Sequence, residues 1–572
     1  MRRSSAIASA TPQEWLRLRV LSPPVLRLFG WALVLWIVLF WRLGYPSFWD
    51  PDEAHYAQTS REMLANHDWL VPTFDGQAFF DKPVLFHWLQ MFFFSILGAN
   101  ELAARLVPAL AALGLIGCTA WLGVELFSAD VGELGALMLA VLPATFALSA
   151  YGILDMLFTA LMFGGAALLA VAALKDRHRL EAPAYGLIAL AVLTKGPLAL
   201  ALVGLAFGLS LVLAPEIRPK LLALRWRSGL LAVLCCSLPW FLWMWIRFDG
   251  AFIEGYVLRE NVWLFARSLY RHQYSRLVYF RILLVGLLPW TPILIGRVFD
   301  GFRGHRFSSE ERLLAAWGIA IAGFFMASHF RLDHYLYPVA PAWCLLAAAA
   351  WHRARTDAPT KRHVGVWVGS LAAMATVGIA GIVFAVWFER VPVDLSSSAQ
   401  VAAVGLVAGS CVSIGAVFLQ KLRLPRIPAS MLAGILLLYA CAIMEGFPAF
   451  ERAKPVRELA GWIRDHGRPE DRVASFGITR WSNSWRFYVN RPSPVLDTPE
   501  QVHRFFSAPG VGYCLMLEQD YEQFLNEGLP LKVVYQREGL FTTTGRALRR
   551  AAGRRSGWRR FIIVTTDETL RK

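Results

Sequence analysis

The chain has 572 residues, 56% of them hydrophobic and only 17% charged, with a mean hydropathy of +0.45. That is too apolar for a soluble protein of this size and selects a class in which the bilayer is the solvent. A formal charge of +16 would suit a nucleic-acid binder, but the basic residues cluster between alternate apolar runs, which excludes that reading. No Walker loop and no G-x-G-x-x-G stand in a strand–turn–helix context, so an ATP-driven pump is disfavoured. Six of the seven cysteines lie inside apolar runs, leaving no disulfide framework or zinc ribbon.

Read in chain order, about thirteen stretches have the length and apolarity of spanning helices. They lie near 25–43, 102–124, 131–149, 153–174, 183–195, 197–214, 229–247, 280–297, 313–328, 335–351, 364–388, 400–419 and 428–446. Thr194-Lys195-Gly196-Pro197 breaks one long run into two helices with a short turn. Arg17 and Arg19 precede the first helix, Lys175 and Arg177 follow the fourth, and Arg218, Lys220 and Arg225 follow the sixth. Arg303 and Arg306 follow the eighth, Arg353 and Arg355 the tenth, and Lys421 and Arg423 the twelfth. Every second loop is thus basic, with 125–130 as the exception, which puts the N-terminus in the cytoplasm. An odd helix count then places everything after residue 447 outside. The first apolar stretch is long and lacks a small-residue cleavage pattern, which argues against a cleavable signal peptide.

Three external stretches carry the polar chemistry. The first, 45–98, contains Trp49-Asp50-Pro51-Asp52-Glu53-Ala54-His55-Tyr56-Ala57, followed by Glu62, Asp68, Asp75, Asp81 and Lys82. Residues 53–65 and 84–97 read as two helices lying on the membrane surface. The second, 249–279, breaks the charge rule with Arg259, Arg267, Arg271 and Arg276. Arginine forks match phosphate oxygens, so this loop points to an anionic ligand; a belt meeting lipid headgroups is the competing reading. The third is the tail. Helices are expected over 456–464 and 520–526, and strands over 473–476, 512–517, 532–535 and 561–565. That alternation indicates a small α/β domain. Its arginines Arg546, Arg549, Arg550, Arg554, Arg555, Arg559 and Arg560 suit either an anionic partner or a solvated basic face.

Six short motifs recur in register with this topology. They are Asp52-Glu53-Ala54-His55-Tyr56-Ala57, Phe80-Asp81-Lys82-Pro83, Arg105-Leu106-Val107-Pro108, Leu154-Asp155-Met156, Leu193-Thr194-Lys195-Gly196-Pro197 and His334-Tyr335-Leu336-Tyr337-Pro338. Together they resemble the GT-C glycosyltransferases, in particular the family 39 group of bacterial lipid A aminoarabinose transferases and protein O-mannosyltransferase-like proteins. The resemblance covers most of the membrane portion; the tail matches only in position and general class. It implies an α-helical polytopic membrane protein with a GT-C domain over 1–447 and an extracytoplasmic α/β domain over 448–572. It further implies transfer of a sugar, with inversion, from a polyprenyl-phosphate donor such as undecaprenyl phosphate to an extracytoplasmic acceptor. Aminoarabinose and lipid A are one such donor sugar and acceptor.

Asp52 matches the family's catalytic aspartate, and a helix N-cap is its alternative role. Lys82, Lys195, Arg271 and Arg276 are candidates for the donor phosphate, and the sequence does not choose between the two arginines. Glu53, Tyr56 and Tyr335 are candidates for lining the sugar site. Asp155 lies just inside an apolar helix, where a carboxylate is costly unless paired, and is read as functional with Lys195 as its partner. His87 and His334 are read as structural. The resemblance requires no nucleotide. A divalent metal, zinc or magnesium or manganese, is the one cofactor it raises, on Asp81 and His272; Asp81 stands where aminoarabinose transferases carry a glutamate. A lipid-linked-sugar transporter is the rival class, but charges crowd onto one face and no internal repeat is visible.

Overall fold

The computed structural model describes residues 23–267, 275–357, 363–388, 396–478, 481–541 and 558–566. Each predicted apolar stretch coincides with a helix, beginning with Pro23–Leu35 and ending with Ala429–Cys441. Length and apolarity divide them unequally, however. Among the described residues six helices suffice alone to cross a bilayer, and up to nine do if each of three bent pairs counts as one span. The remaining expected spans are shorter or bent helices. Proline accounts for two of the breaks, because it cannot donate to the preceding turn. Ala129–Ala140 bends by 64° into Pro143–Ser149, and Leu198–Leu213 by 107° into Pro215–Leu222. The run 183–214 is two helices as expected, Glu181–Lys195 and Leu198–Leu213, joined at Gly196.

Small residues let these helices approach closely, as hydrocarbon surroundings favour. A Cβ on Gly123 would come within 2.5 Å of Gly132 Cα, so the helices Glu101–Leu126 and Ala129–Ala140 touch backbone to backbone there. The two ends of the bundle differ in charge. At one end, arginines pair with acids on neighbouring helices: Arg426 with Asp130 at 2.7 Å, and Arg297 with Glu311 at 2.8 Å. At the other end lie the turns 150–154, 194–197 and 328–332 and the first external loop.

The loop 45–98 folds as the helix Asp52–Ala65, a small hairpin and the helix Leu85–Leu97, so both expected helices form. The hairpin pairs β1 (Thr73–Phe74) with β2 (Gln77–Ala78) across Asp75-Gly76, both at positive φ, the signature of its turn type. Glu62 accepts from the backbone N–H of Asp75 (3.0 Å) and Gly76 (3.1 Å), and Asp68 accepts from Leu70 and Val71. Both acids are therefore spent on shaping the loop.

The tail is an α/β unit with a five-stranded sheet. In chain order its strands are β3 (Arg472–Phe476), β4 (Val495–Leu496), β5 (Gly512–Leu517), β6 (Lys532–Leu540) and β7 (Trp558–Thr565). They are ordered β4-β3-β5-β7-β6, with β3 parallel to both neighbours and β7 antiparallel to both of its own. The central β5 is buried along its whole length, which explains its continuous apolar run. The helices Ser482–Val489 and Pro499–Ser507 and the short β4 were not anticipated. Of the tail arginines, Arg559 and Arg560 lie on β7, where Arg560 pairs with Glu518 at 2.5 Å; Arg546, Arg549, Arg550, Arg554 and Arg555 lie outside the described residues.

Candidate active site

A cavity of about 490 Å³ opens where the helix ends meet the loop 45–98. Its wall brings together Asp52, Tyr56, Asp81, Lys82, Asp155, Lys195 and Tyr335, which sequence singled out, Arg259 of the arginine-bearing loop, and Glu260 and His334, which sequence did not assign to a site.

Asp52 is the first residue of its helix. Pro51 occupies the cap position and no side-chain cap bond forms, so the capping role is not realised. Among the described residues no side chain pairs with the Asp52 carboxylate, which is exposed to the cavity. Burial of its surroundings raises its carboxyl above the ordinary value of 3.8. The charges of Asp81 and Asp155 add to that rise, and His334 and Lys82 oppose it. Beside it His55 packs between Phe74 and Phe79, ring centroids 4.1 and 4.4 Å away, and burial lowers it to about 4, so it is neutral.

Lys82 donates to Asp81 Oδ1 at 2.6 Å and to Glu260 Oε2 at 3.2 Å, and Tyr56 Oη donates to Asp81 Oδ2 at 3.3 Å. Burial alone would raise the Asp81 carboxyl, but the Lys82 ammonium outweighs it and holds the group well below the carboxylate range. Burial would likewise depress Lys82, yet Asp81 and Glu260 hold it well above its ordinary value. Lys82 is therefore a fixed cation.

Across the cavity Lys195 donates to Asp155 Oδ1 at 2.5 Å, so the suggested partnership holds. Each charge also suits its helix: Asp155 opens Asp155–Leu174 at the positive end of the dipole, and Lys195 ends Glu181–Lys195 at the negative end. Lys195 Nζ stands 4.3 Å from the Tyr335 ring centroid, and His334 Nε2 lies 3.7 Å from Asp155 Oδ2. His334 thus belongs to the site rather than to the scaffold. Its signal was available in the His334-Tyr335 motif, as Glu260 was in being acidic among arginines. His87, by contrast, is buried against Ser60 (2.8 Å), as read.

Gly196 makes this corner possible. Its φ is +79°, and a Cβ there would collide with the Tyr256 hydroxyl. Gly196→Ala should destabilise the fold by about 1–3 kcal/mol and displace Lys195, read as a lower thermal midpoint in detergent together with reduced activity.

Two expectations are corrected. Glu53 does not line the cavity. It is fully buried, gripping Arg105 with both oxygens (2.6 and 2.9 Å) and accepting from the N–H of Trp49 and Gly152. Arg276 is exposed at the start of the helix Arg276–Gly286 and is not part of the cavity wall. Arg271 and His272 lie outside the described residues. Among the described residues no group of three or more His, Cys, Asp or Glu is placed to hold a metal ion, and Asp81 is turned to Lys82.

Asp50, two residues before Asp52, is buried and accepts from Ser484 N at 3.0 Å; burial pushes its carboxyl up to about 7 from 3.8. Between those values only the folded chain holds the proton, so stability falls as pH rises through that window and levels off above it. Asp50→Asn mimics the protonated form. It should raise the thermal midpoint at pH 8 and leave it nearly unchanged well below the window.

Residues 81–243 match the family described as dolichyl-phosphate-mannose-protein mannosyltransferase. Curated relatives include the undecaprenyl phosphate-alpha-4-amino-4-deoxy-L-arabinose arabinosyl transferase of Edwardsiella ictaluri, 28% identical over 376 residues, 63% of this chain and 66% of that one. The enzyme of the same name from Aeromonas salmonicida is 28% identical over 371 residues, 62% of this chain and 66% of that one. The matched stretch thus spans just under two thirds of these relatives' length. The crystal structure of ArnT from Cupriavidus metallidurans in the apo state superposes with a TM-score of 0.76 at 21% identity, covering 96% of this chain and 98% of that one. The same protein bound to undecaprenyl phosphate gives 0.74 at 22% identity, with the same coverage. The chain has the GT-C glycosyltransferase fold. Likeness of fold extends over nearly the whole length, including the tail, whose sequence carried no motif of the group.

Proposed function

We propose that this chain is an integral-membrane glycosyltransferase that moves a sugar from a polyprenyl-phosphate donor to an extracytoplasmic acceptor. The observation that carries the reading is one cavity in which Asp52, a carboxylate with no ion pair among the described residues, faces a space shared with the half-buried Lys82 and the buried Lys195. In the reaction Asp52 takes the proton from the acceptor hydroxyl as its oxygen bonds to the sugar's anomeric carbon. The bond from that carbon to the phosphate oxygen breaks, its electron pair stays on the phosphate, and the configuration inverts. Lys82 and Lys195 stabilise the growing phosphate charge, with Arg259 on the same wall. Asp81 and Glu260 hold Lys82 in place, and Asp155 holds Lys195. Tyr56 and Tyr335 line the sugar.

We take 1–447 as the catalytic membrane portion and 448–572 as the extracytoplasmic unit, in a bacterial inner membrane with the N-terminus cytoplasmic. The basic alternate loops and the clustering of site residues at the opposite end support that orientation. The names of the relatives favour undecaprenyl phosphate as the carrier and 4-amino-4-deoxy-L-arabinose as the sugar; the resemblance to lipid A aminoarabinose transferases adds lipid A as the acceptor. Mass spectrometry of envelope lipids and glycans from cells with and without the gene tests this. A pentosamine on lipid A that disappears with the gene is the expected result. Unchanged lipids with a changed glycan or protein would reassign the acceptor.

A further inference from the structure

Residues 47–49 carry no regular secondary structure, yet they lead directly into Asp52. Their placement must therefore come from partners elsewhere: Arg105 and Glu53 supply some, and the rest lie between residues 451 and 488. Ser47 N and Oγ both donate to Glu451 Oε2 at 2.9 Å, and Ser47 O accepts from Lys454 Nζ at 2.7 Å. Phe48 N donates to Tyr488 Oη at 2.7 Å, and that hydroxyl donates in turn to Glu101 at 2.8 Å. The Phe48 ring meets Phe487 edge-on, centroids 4.7 Å apart. Lys454 Nζ stands 3.7 Å over the Trp49 ring. Asp50 accepts from Ser484 N at 3.0 Å, and Pro51 O accepts from Asn483 Nδ2 at 3.1 Å. Five consecutive residues are thus held from the far end of the chain, and the next is Asp52. Further along the same helix, Arg61 donates to Phe487 O at 2.7 Å and to Asn490 Oδ1 at 2.9 Å.

We propose that the helix Ser482–Val489 of the tail is a positioning element for the reaction, with Asn483 and Tyr488 fixing the backbone that aims Asp52 into the cavity. The proposal rests on the reading of Asp52 as the group that meets the acceptor. None of the gripping residues lines the cavity, so they act through the start of the helix that carries Asp52. A carboxylate aimed about 1 Å astray loses on the order of 10²-fold in rate while leaving the donor's binding contacts intact. That separates positioning from binding: kcat changes and KM for the donor does not.

The test uses the full chain purified in detergent, comparing wild type, Tyr488→Phe, and Tyr488→Phe combined with Asn483→Ala. Both changes keep the packing of the aromatic ring and remove only hydrogen bonds. The expected result is a kcat reduced by up to about 10²-fold in the double variant, with an essentially unchanged KM for the donor and unchanged binding of undecaprenyl phosphate. An unchanged kcat overturns the proposal. So does a loss of activity that merely follows the fraction of protein unfolded, with the folded remainder fully active. Asp52→Asn measured alongside separates the two possible failures. Full activity there overturns the reading of the reaction itself. An inactive Asp52→Asn beside a fully active double variant overturns only the positioning role.

Discussion

Asp52→Asn should lower kcat by about 10³-fold, within the 10²–10⁴ range for removing a positioned general base, while leaving the protein folded. The amide keeps the shape of the side chain but cannot accept the acceptor's proton. Because Asp52 makes no ion pair among the described residues, its loss leaves no partner stranded, and the thermal midpoint should hardly move. The wild-type enzyme should also lose activity on acidification at a pH above the ordinary carboxylate value of 3.8. The cause is burial first, then the neighbouring charges of Asp81 and Asp155. A pH profile of kcat in which this acid limb persists in Asp52→Asn would assign the base elsewhere.

Glu53→Ala should do the reverse, although it alters the adjacent carboxylate. Arg105 and Glu53 are almost fully buried and meet in two parallel hydrogen bonds. Arg105 also donates to the carbonyls of Leu43 and Pro46, and Glu53 receives the N–H groups of Trp49 and Gly152. Removing the acid leaves a buried guanidinium uncompensated, which costs about 3–5 kcal/mol. The expected outcome is a large drop in thermal midpoint and folded yield, with activity lost in proportion. A stable Glu53→Ala protein with a selectively reduced kcat would return Glu53 to the cavity.

These two residues illustrate what the sequence could carry. Successive residues on a helix point about 100° apart, so Asp52 faces the cavity while Glu53 turns toward Arg105. Adjacency in a motif could not separate them, because both belong to the same short run of acids. Buried charge was easier to read. Asp155 and Lys195 are expensive in an apolar helix, and their pairing follows from that cost. The helix Ser482–Val489 was illegible for the opposite reason. Ser482, Asn483 and Ser484 are poor helix formers, and the element persists because Trp485, Phe487 and Tyr488 pack on the first external loop. Arg276 shows a third limit: an external arginine advertises anion binding equally well whether it lines a cavity or meets headgroups. The spans themselves were legible as helices, since a bilayer core tolerates little else, but their bends at proline were not.

The most direct test of the account is a transfer assay with the purified full-length chain and a polyprenyl-phosphate sugar labelled in both sugar and lipid. The account predicts free polyprenyl phosphate released in step with labelled product of inverted configuration, and almost none of either with Asp52→Asn. Movement of the intact donor across a bilayer without release of polyprenyl phosphate, or full transfer by Asp52→Asn, would contradict it.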